Sequence, residues 1–202
     1  MAVGVRLLTG RDPELAHRVP ELARLRIEVF RDFPYLYAGT MDYEMRYLAT
    51  YVNCPDSVVV LVEDGRDVVG ASTGLPLVAE DEAFQRPFVE RGYDIATVFY
   101  CGESVLQKDY RGQGLYAKFF TGREQHARAL GGMKLITLCG VERPVDHPRR
   151  PADYVPLDAV WTRFGYVRHP ELATTFSWQD LDEPAETAKP MVFWTKALDV
   201  VA

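Results

Sequence analysis

The chain has 202 residues, 48% of them hydrophobic and 12% aromatic, which is enough apolar side chain for one domain, residues 1–202, with a sizeable core. A formal net charge of −6 and a pI of about 5.3 give no global basic field for nucleic acid, and the pairs and singles at Arg143 and Arg149–Arg150 are loop-like clusters. The cysteines Cys54, Cys101 and Cys139 are odd in number and lack metal-ligand spacing, no run approaches a membrane span, and the apolar part of MAVGVRLLTGRD is too short for a signal peptide; the expectation is a cytoplasmic protein with no metal, membrane or nucleic-acid partner.

Val3 to Leu8 reads as a first strand, closed by Thr9-Gly10. Asp12-Pro13-Glu14 then starts a helix, with a capping side chain followed by a proline where no N–H is needed. Leu15, Val19, Leu22, Leu25 and Val29 carry the helical period to about Phe30, with a kink or restart expected at Pro20. An aromatic loop, Phe33-Pro34-Tyr35-Leu36-Tyr37, follows. Asp42 is expected to cap a second helix that places Tyr43, Tyr47 and Tyr51 on one face. Such a stripe reads either as packing against the sheet or as the wall of a pocket.

Ser57–Glu63 and Val68–Leu75 are β-branched runs joined by Asp64-Gly65-Arg66-Asp67, a hairpin signature closed by Pro76. Residues 79–93 are acidic and helix-permissive, an insertion before the next strand. That strand, Val98 to Leu106, gives way to a polar turn, then to Arg111-Gly112-Gln113-Gly114, then to a helix running to Leu130 and stopped by Gly131-Gly132. Strand, glycine turn and helix N-terminus make an anion cradle: glycine lets the backbone approach closely, and the first helical N–H groups are unpartnered and carry the positive end of the dipole. A pyrophosphate suits such a cradle. A P-loop would need a lysine and a hydroxyl after Gly114, and a Rossmann fingerprint a third glycine where Ala117 stands; both fail.

Met133 to Cys139 is an apolar strand of the type buried on both faces. Gly140 to Pro156 is a long loop holding Asp146-His147 and Tyr154. A short helix ends in Trp161-Thr162-Arg163-Phe164-Gly165-Tyr166, and strands follow at Leu172–Trp178 and Met191–Ala197, with an acidic loop of residues 180–190 between them.

Arg111-Gly112-Gln113-Gly114-Leu115-Tyr116 resembles the acetyl-CoA motif of the GNAT acetyltransferase superfamily: arginine or glutamine, two residues, glycine, one residue, then glycine or alanine. Tyr116 departs from the small last residue. The 161–166 stretch resembles that family's Y-x-x-hydrophobic-G-F ending, with Trp161 in place of the tyrosine. The order β-α-α-β-β-(α)-β-α-β-α-β-β is similar to the family's over essentially the whole chain. The resemblance implies an α/β fold (an α+β mixed sheet), GNAT-like, whose central sheet is mixed but mostly antiparallel and flanked by helices. It implies acetyl-CoA as cofactor, held by Ser104, Val105 and Leu106 along the pantetheine arm and by Arg111, Gly112, Gln113, Gly114, Leu115, Tyr116 and Ala117 at the phosphates. It also implies an amine acceptor, whose pocket the first two helices and their connecting loop shape, so that Tyr35, Tyr37, Tyr43 and Tyr47 are the substrate-binding candidates. A homodimer stays open.

Acetyl transfer to an amine needs a proton removed from the amine, a polarised carbonyl and a proton for the leaving thiolate. Glu103 is the carboxylate on the central strand beside the motif, and it reads equally as a base or as an ion-paired strand residue. An indole at Trp161 cannot shuttle the second proton. By type, Tyr116 and Tyr154 replace it, although each also reads as a packing or CoA contact; Tyr154 is the second catalytic candidate. Asp146-His147 reads as turn chemistry more than as a base pair, and Cys139 lacks triad partners. The rival to an enzyme is a non-catalytic acyl-CoA-binding module of the same fold.

Overall fold

The computed structural model describes residues 3–198. Its elements are β1 (Gly4–Thr9), α1 (Pro13–Phe30), α2 (Met41–Asn53), β2 (Val58–Asp64), β3 (Asp67–Pro76), α3 (Glu82–Glu90), β4 (Val98–Cys101), β5 (Ser104–Leu106), α4 (Leu115–Leu130), β6 (Leu135–Val141), α5 (Asp158–Arg163), β7 (Val167–Trp178) and β8 (Thr187–Ala197). The strands lie in the order β1-β2-β3-β4-β6-β8-β7, with β5 paired to β3 beside that path. Among the described residues only β4 and β6 pair in parallel, so the sheet is mixed and mostly antiparallel. The start of the N-terminal stretch read against a signal peptide lies outside the described residues.

The period-2 pattern of β2 explains the layering. Val59 and Leu61 point to one face, where Leu15, Val19 and Leu22 of α1 and Leu48 and Tyr51 of α2 cover them. Val58, Val60 and Val62 point to the other, against Phe119 and Phe120 of α4. Buried on both faces, β2 reads as a nearly unbroken apolar run. Beyond β4, Phe84 and Phe88 of α3 pack on Tyr100 and Phe193.

Several local expectations shift for identifiable reasons. Pro20 does not divide α1: the buried positions run unbroken from Leu15 to Arg26, and tertiary packing holds one helix through the lost hydrogen bond. Asp12 occupies the N-cap of α1, but its carboxylate turns back to the Thr9 amide (2.7 Å) and hydroxyl (2.8 Å). Thr40, not Asp42, caps α2, through its hydroxyl and the Tyr43 amide. β6 begins two residues later than expected and takes in Gly140 and Val141 because β8 pairs with it as far as Met191. β7 starts at Val167 rather than Leu172, with a bulge between His169 and Ala173 absorbing the unpaired residues.

Candidate active site

The central strand is broken on purpose. Ser72 of β3 faces Ser104 of β5 while Leu75 faces Tyr100 of β4, so the span Ser72–Leu75 is answered by one residue more on the opposite strand. The extra residue sits at Gly102–Glu103, a β-bulge. The Gly102 amide reaches the Thr73 carbonyl at 3.2 Å, and the Glu103 carbonyl accepts from the Thr73 amide (3.1 Å) and from Arg123 Nη1 (3.0 Å). Arg123 lies on α4 and is fully buried, so the bulge is pinned from beneath. Gly102 is required here: a Cβ would fall 2.0 Å from the Tyr51 hydroxyl.

Parallel pairing of β4 with β6 stops at Cys101↔Leu138, and β5 pairs only with β3. The two strands therefore part, and a cleft of about 1090 Å³ opens between β5 and the end of β6. Ser104, Leu106, Arg111, Gly112, Gly114, Tyr116 and Ala117 line it. Gly112 and Gly114 both have φ +76°, and the space beside each is open where a Cβ would stand. Gly114 is the N-cap of α4 and no side chain caps that helix, which leaves its first N–H groups for a ligand. Arg111 Nε is tied to the Leu106 carbonyl at 3.1 Å, fixing the turn to the strand.

Three members of the expected cofactor set lie otherwise. The Val105 side chain packs on the α1–α2 side, Leu115 packs into the α4 core, and the exposed Gln113 donates to the Asp109 carbonyl at 2.9 Å. Tyr116 is half-buried; burial pushes its phenol up, while Ser104 and Trp161 hydrogen-bond it and pull the other way. Tyr154 lines the same cleft, edge-on to Phe33 at 4.7 Å with Arg150 over its ring at 5.0 Å. His147 sits against Phe33 and its Nδ1 accepts from the Arg149 amide, so it belongs to the loop's own turn.

Glu103 points away from the cleft, into a second cavity of about 80 Å³. All four tyrosines expected at the acceptor site, Tyr35, Tyr37, Tyr43 and Tyr47, line this chamber with it. Tyr51, the third member of the stripe, is core. Arg26 Nη1 holds Glu103 Oε2 at 2.6 Å and its Nε holds Glu44. Tyr47 Oη bonds Tyr51 Oη at 3.0 Å and donates to Glu103 at 3.3 Å. Burial keeps the Tyr35, Tyr47, Tyr51 and Tyr100 phenols neutral by pushing each upward. The chamber is thus aromatic and built around an ion pair.

Sequence reasoning passed over two residues near this chamber. Arg26 continues the apolar stripe Leu15, Val19, Leu22, and a charge on that face is the signal that a buried partner exists. Glu80 is buried with Oε2 unpartnered, and burial pushes its carboxyl up to about 7, with the charge of Glu103 adding to the rise. In the sequence it merges with Asp81, which caps α3 by accepting from the Ala83 amide.

With this geometry in view, the architecture is that of the GNAT acetyltransferases. An N-acetyltransferase from Staphylococcus aureus Mu50 superposes with a TM-score of 0.63 at 10% identity, covering 98% of this chain and 100% of that one. The protein yncA of Salmonella typhimurium, whose structure holds its cofactor acetyl-CoA, gives 0.60 at 10% identity over 100% and 97%. A ribosomal-protein-alanine N-acetyltransferase from Brucella melitensis gives 0.59 at 12% identity over 96% and 99%. At these identities the likeness is one of fold. No protein-family profile and no curated protein sequence matches the chain. Among the described residues no helix is long and apolar enough to cross a membrane.

Proposed function

We propose that the chain is a single-domain N-acetyltransferase that moves an acetyl group from acetyl-CoA to a primary amine on a small molecule or peptide. The observation that carries this reading is the meeting of two cavities at one bulged strand: an open cleft ending at an uncapped glycine turn, and an aromatic chamber around Glu103. The glycine turn suits a pyrophosphate because Cβ atoms at Gly112 and Gly114 would occupy the space that it leaves open. Arg111 and the first N–H groups of α4 would hold the phosphates, and Ser104 and Leu106, on a strand with no β6 partner, the pantetheine arm. Bound there, acetyl-CoA supplies an acyl group activated as a thioester. Glu103 would take the proton from the amine, directly or through one water, as the amine replaces the thiol at the acyl carbon, and Tyr154 on the cleft wall would give its phenolic proton to the departing thiolate. The phenols of the chamber, held neutral by burial, do not compete for the amine's proton.

A second reading, a non-catalytic acyl-CoA-binding module, is favoured by two features: Glu103 is already engaged with Arg26, and an indole stands at Trp161. The two separate in a screen of acceptor amines for thiol release from acetyl-CoA. An enzyme accelerates release well above hydrolysis with at least one amine. CoA binding that raises the Tm without turnover on any amine supports the module.

A further inference from the structure

Phe30 and Tyr35 are common to both cavities, and their rings pack at 4.4 Å as the partition between the cleft and the chamber. Tyr35 belongs to a loop, and a loop needs a reason to stand still. Its backbone is held by one side chain above others. Arg143, two residues beyond β6, donates Nε to the Pro34 carbonyl at 2.7 Å and Nη2 to the Tyr35 carbonyl at 2.9 Å. The same guanidinium grips Asp180 with both nitrogens, at 2.9 and 2.8 Å. Both side chains are more than nine-tenths buried, at 8% and 4% exposure. Trp178 Nε1 adds a second donor to the Tyr35 carbonyl at 2.9 Å, and Arg143 lies over that indole.

A planar guanidinium is the side chain that can do this, because its fork meets a carboxylate with two parallel bonds while its remaining donors serve carbonyls. Asp180 is in turn fixed through its backbone bridge to Tyr37 and by Lys189 at 3.5 Å. Three separate connections, the 33–37 loop, the β6–α5 loop and the β7–β8 loop, therefore converge on one buried ion pair. We infer that Arg143 is a positioning residue: clamped by Asp180, it holds the Tyr35 partition that decides where the cofactor cleft meets the acceptor chamber and how large an acceptor can enter. This rests on the acyltransferase reading for its meaning, though not for its test.

Cys139 provides that test, because its thiol lines the chamber and is buried, whereas Cys101 is buried in the core under α4. In a Cys54→Ser background, iodoacetamide labelling is mapped by mass spectrometry to the peptides of Cys139 and Cys101. Arg143→Gln should speed labelling of Cys139 by about tenfold through local opening while leaving Cys101 unchanged. Acetyl-CoA, which has no free thiol, should then protect Cys139 by filling the cleft. Asp180→Asn breaks the clamp from the other side and should act alike. Unchanged Cys139 labelling in both variants, or labelling that acetyl-CoA does not slow although it raises the Tm of the same variant, overturns the partition. Equal exposure of Cys101 and Cys139 in both variants shows the pair merely holds the fold and overturns the positioning role. Where an acceptor is turned over, Arg143→Gln should raise its KM and admit bulkier amines with the KM for acetyl-CoA unmoved. Loss of turnover in the parent protein would count against the acyltransferase reading alone, since the labelling needs no chemistry.

Discussion

The cleft and the chamber are built from different materials. The cleft is made of backbone: a strand without its neighbour, two glycines at positive φ and a helix start with no side-chain cap. The chamber is made of side chains, rings closing on an ion pair that is almost wholly out of water. The backbone part of the cleft depends on its glycines, whereas a side-chain site fails when one charge loses its partner. The difference can be broken from either side.

The largest effect is expected in the chamber. Arg26→Met leaves Glu44 and Glu103 as buried carboxylates without a counter-charge and removes a guanidinium lying 4.3 Å over the Tyr47 ring. Stability should fall by about 3–5 kcal/mol, read by urea unfolding. A loss under about 1 kcal/mol, the size of an exposed pair, would mean that water reaches the site.

Next comes chemistry. Glu103→Gln should lower turnover by roughly 10²–10⁴-fold with CoA affinity kept, and the loss should shrink at high pH, where free amine is abundant. An unchanged pH–rate profile would assign Glu103 to structure, as the partner of Arg26.

Glu80 sharpens the contrast through pH. Burial holds its carboxyl at about 7 against an ordinary 4.5. Its folded-state value lies above its unfolded value, so its contribution is fully present below pH 4.5 and is lost as the pH rises through 7. The window amounts to roughly 3 kcal/mol. Glu80→Gln should remove that slope, and unfolding at about pH 5 and about pH 8 compared between the two proteins measures it. Parallel slopes in both would place Glu80 in water.

The smallest change in stability belongs to the cleft. Gly114→Val puts a Cβ into open space at φ +76°, so only the backbone strain of about 1–2 kcal/mol is expected. The rise in Tm on adding CoA should nonetheless disappear, because the Cβ stands where the phosphates approach. A normal rise would show that the turn is not the cradle.

The cleft was legible because its signals are local. Strand, glycine turn and helix follow each other within Val98–Leu130, and φ at Gly112 and Gly114 is a property of each residue and its neighbours. The bulge and its pin, Arg123 on the next helix, follow from the pairing of β3 with both β4 and β5 and not from a local signal. The chamber was only half legible. The tyrosines of α2 showed a face, but the period that places Tyr43, Tyr47 and Tyr51 together does not say that Tyr51 goes to core while the other two line a cavity.

By itself the sequence determined the order of elements, the two-sided burial of β6 and the conformation of the glycine turn, since period, capping and the missing Cβ act over a few residues. Only the tertiary structure decided what stands between cleft and chamber. Arg26 meets Glu44 and Glu103 across three elements, and Arg143 meets Tyr35 and Asp180 across 108 and 37 positions of chain. A charge can wait on a helix or loop with nothing nearby to name its partner. The partner is chosen when burial strips away water and makes an uncompensated charge costly, so that charges distant in the sequence meet in the same buried space.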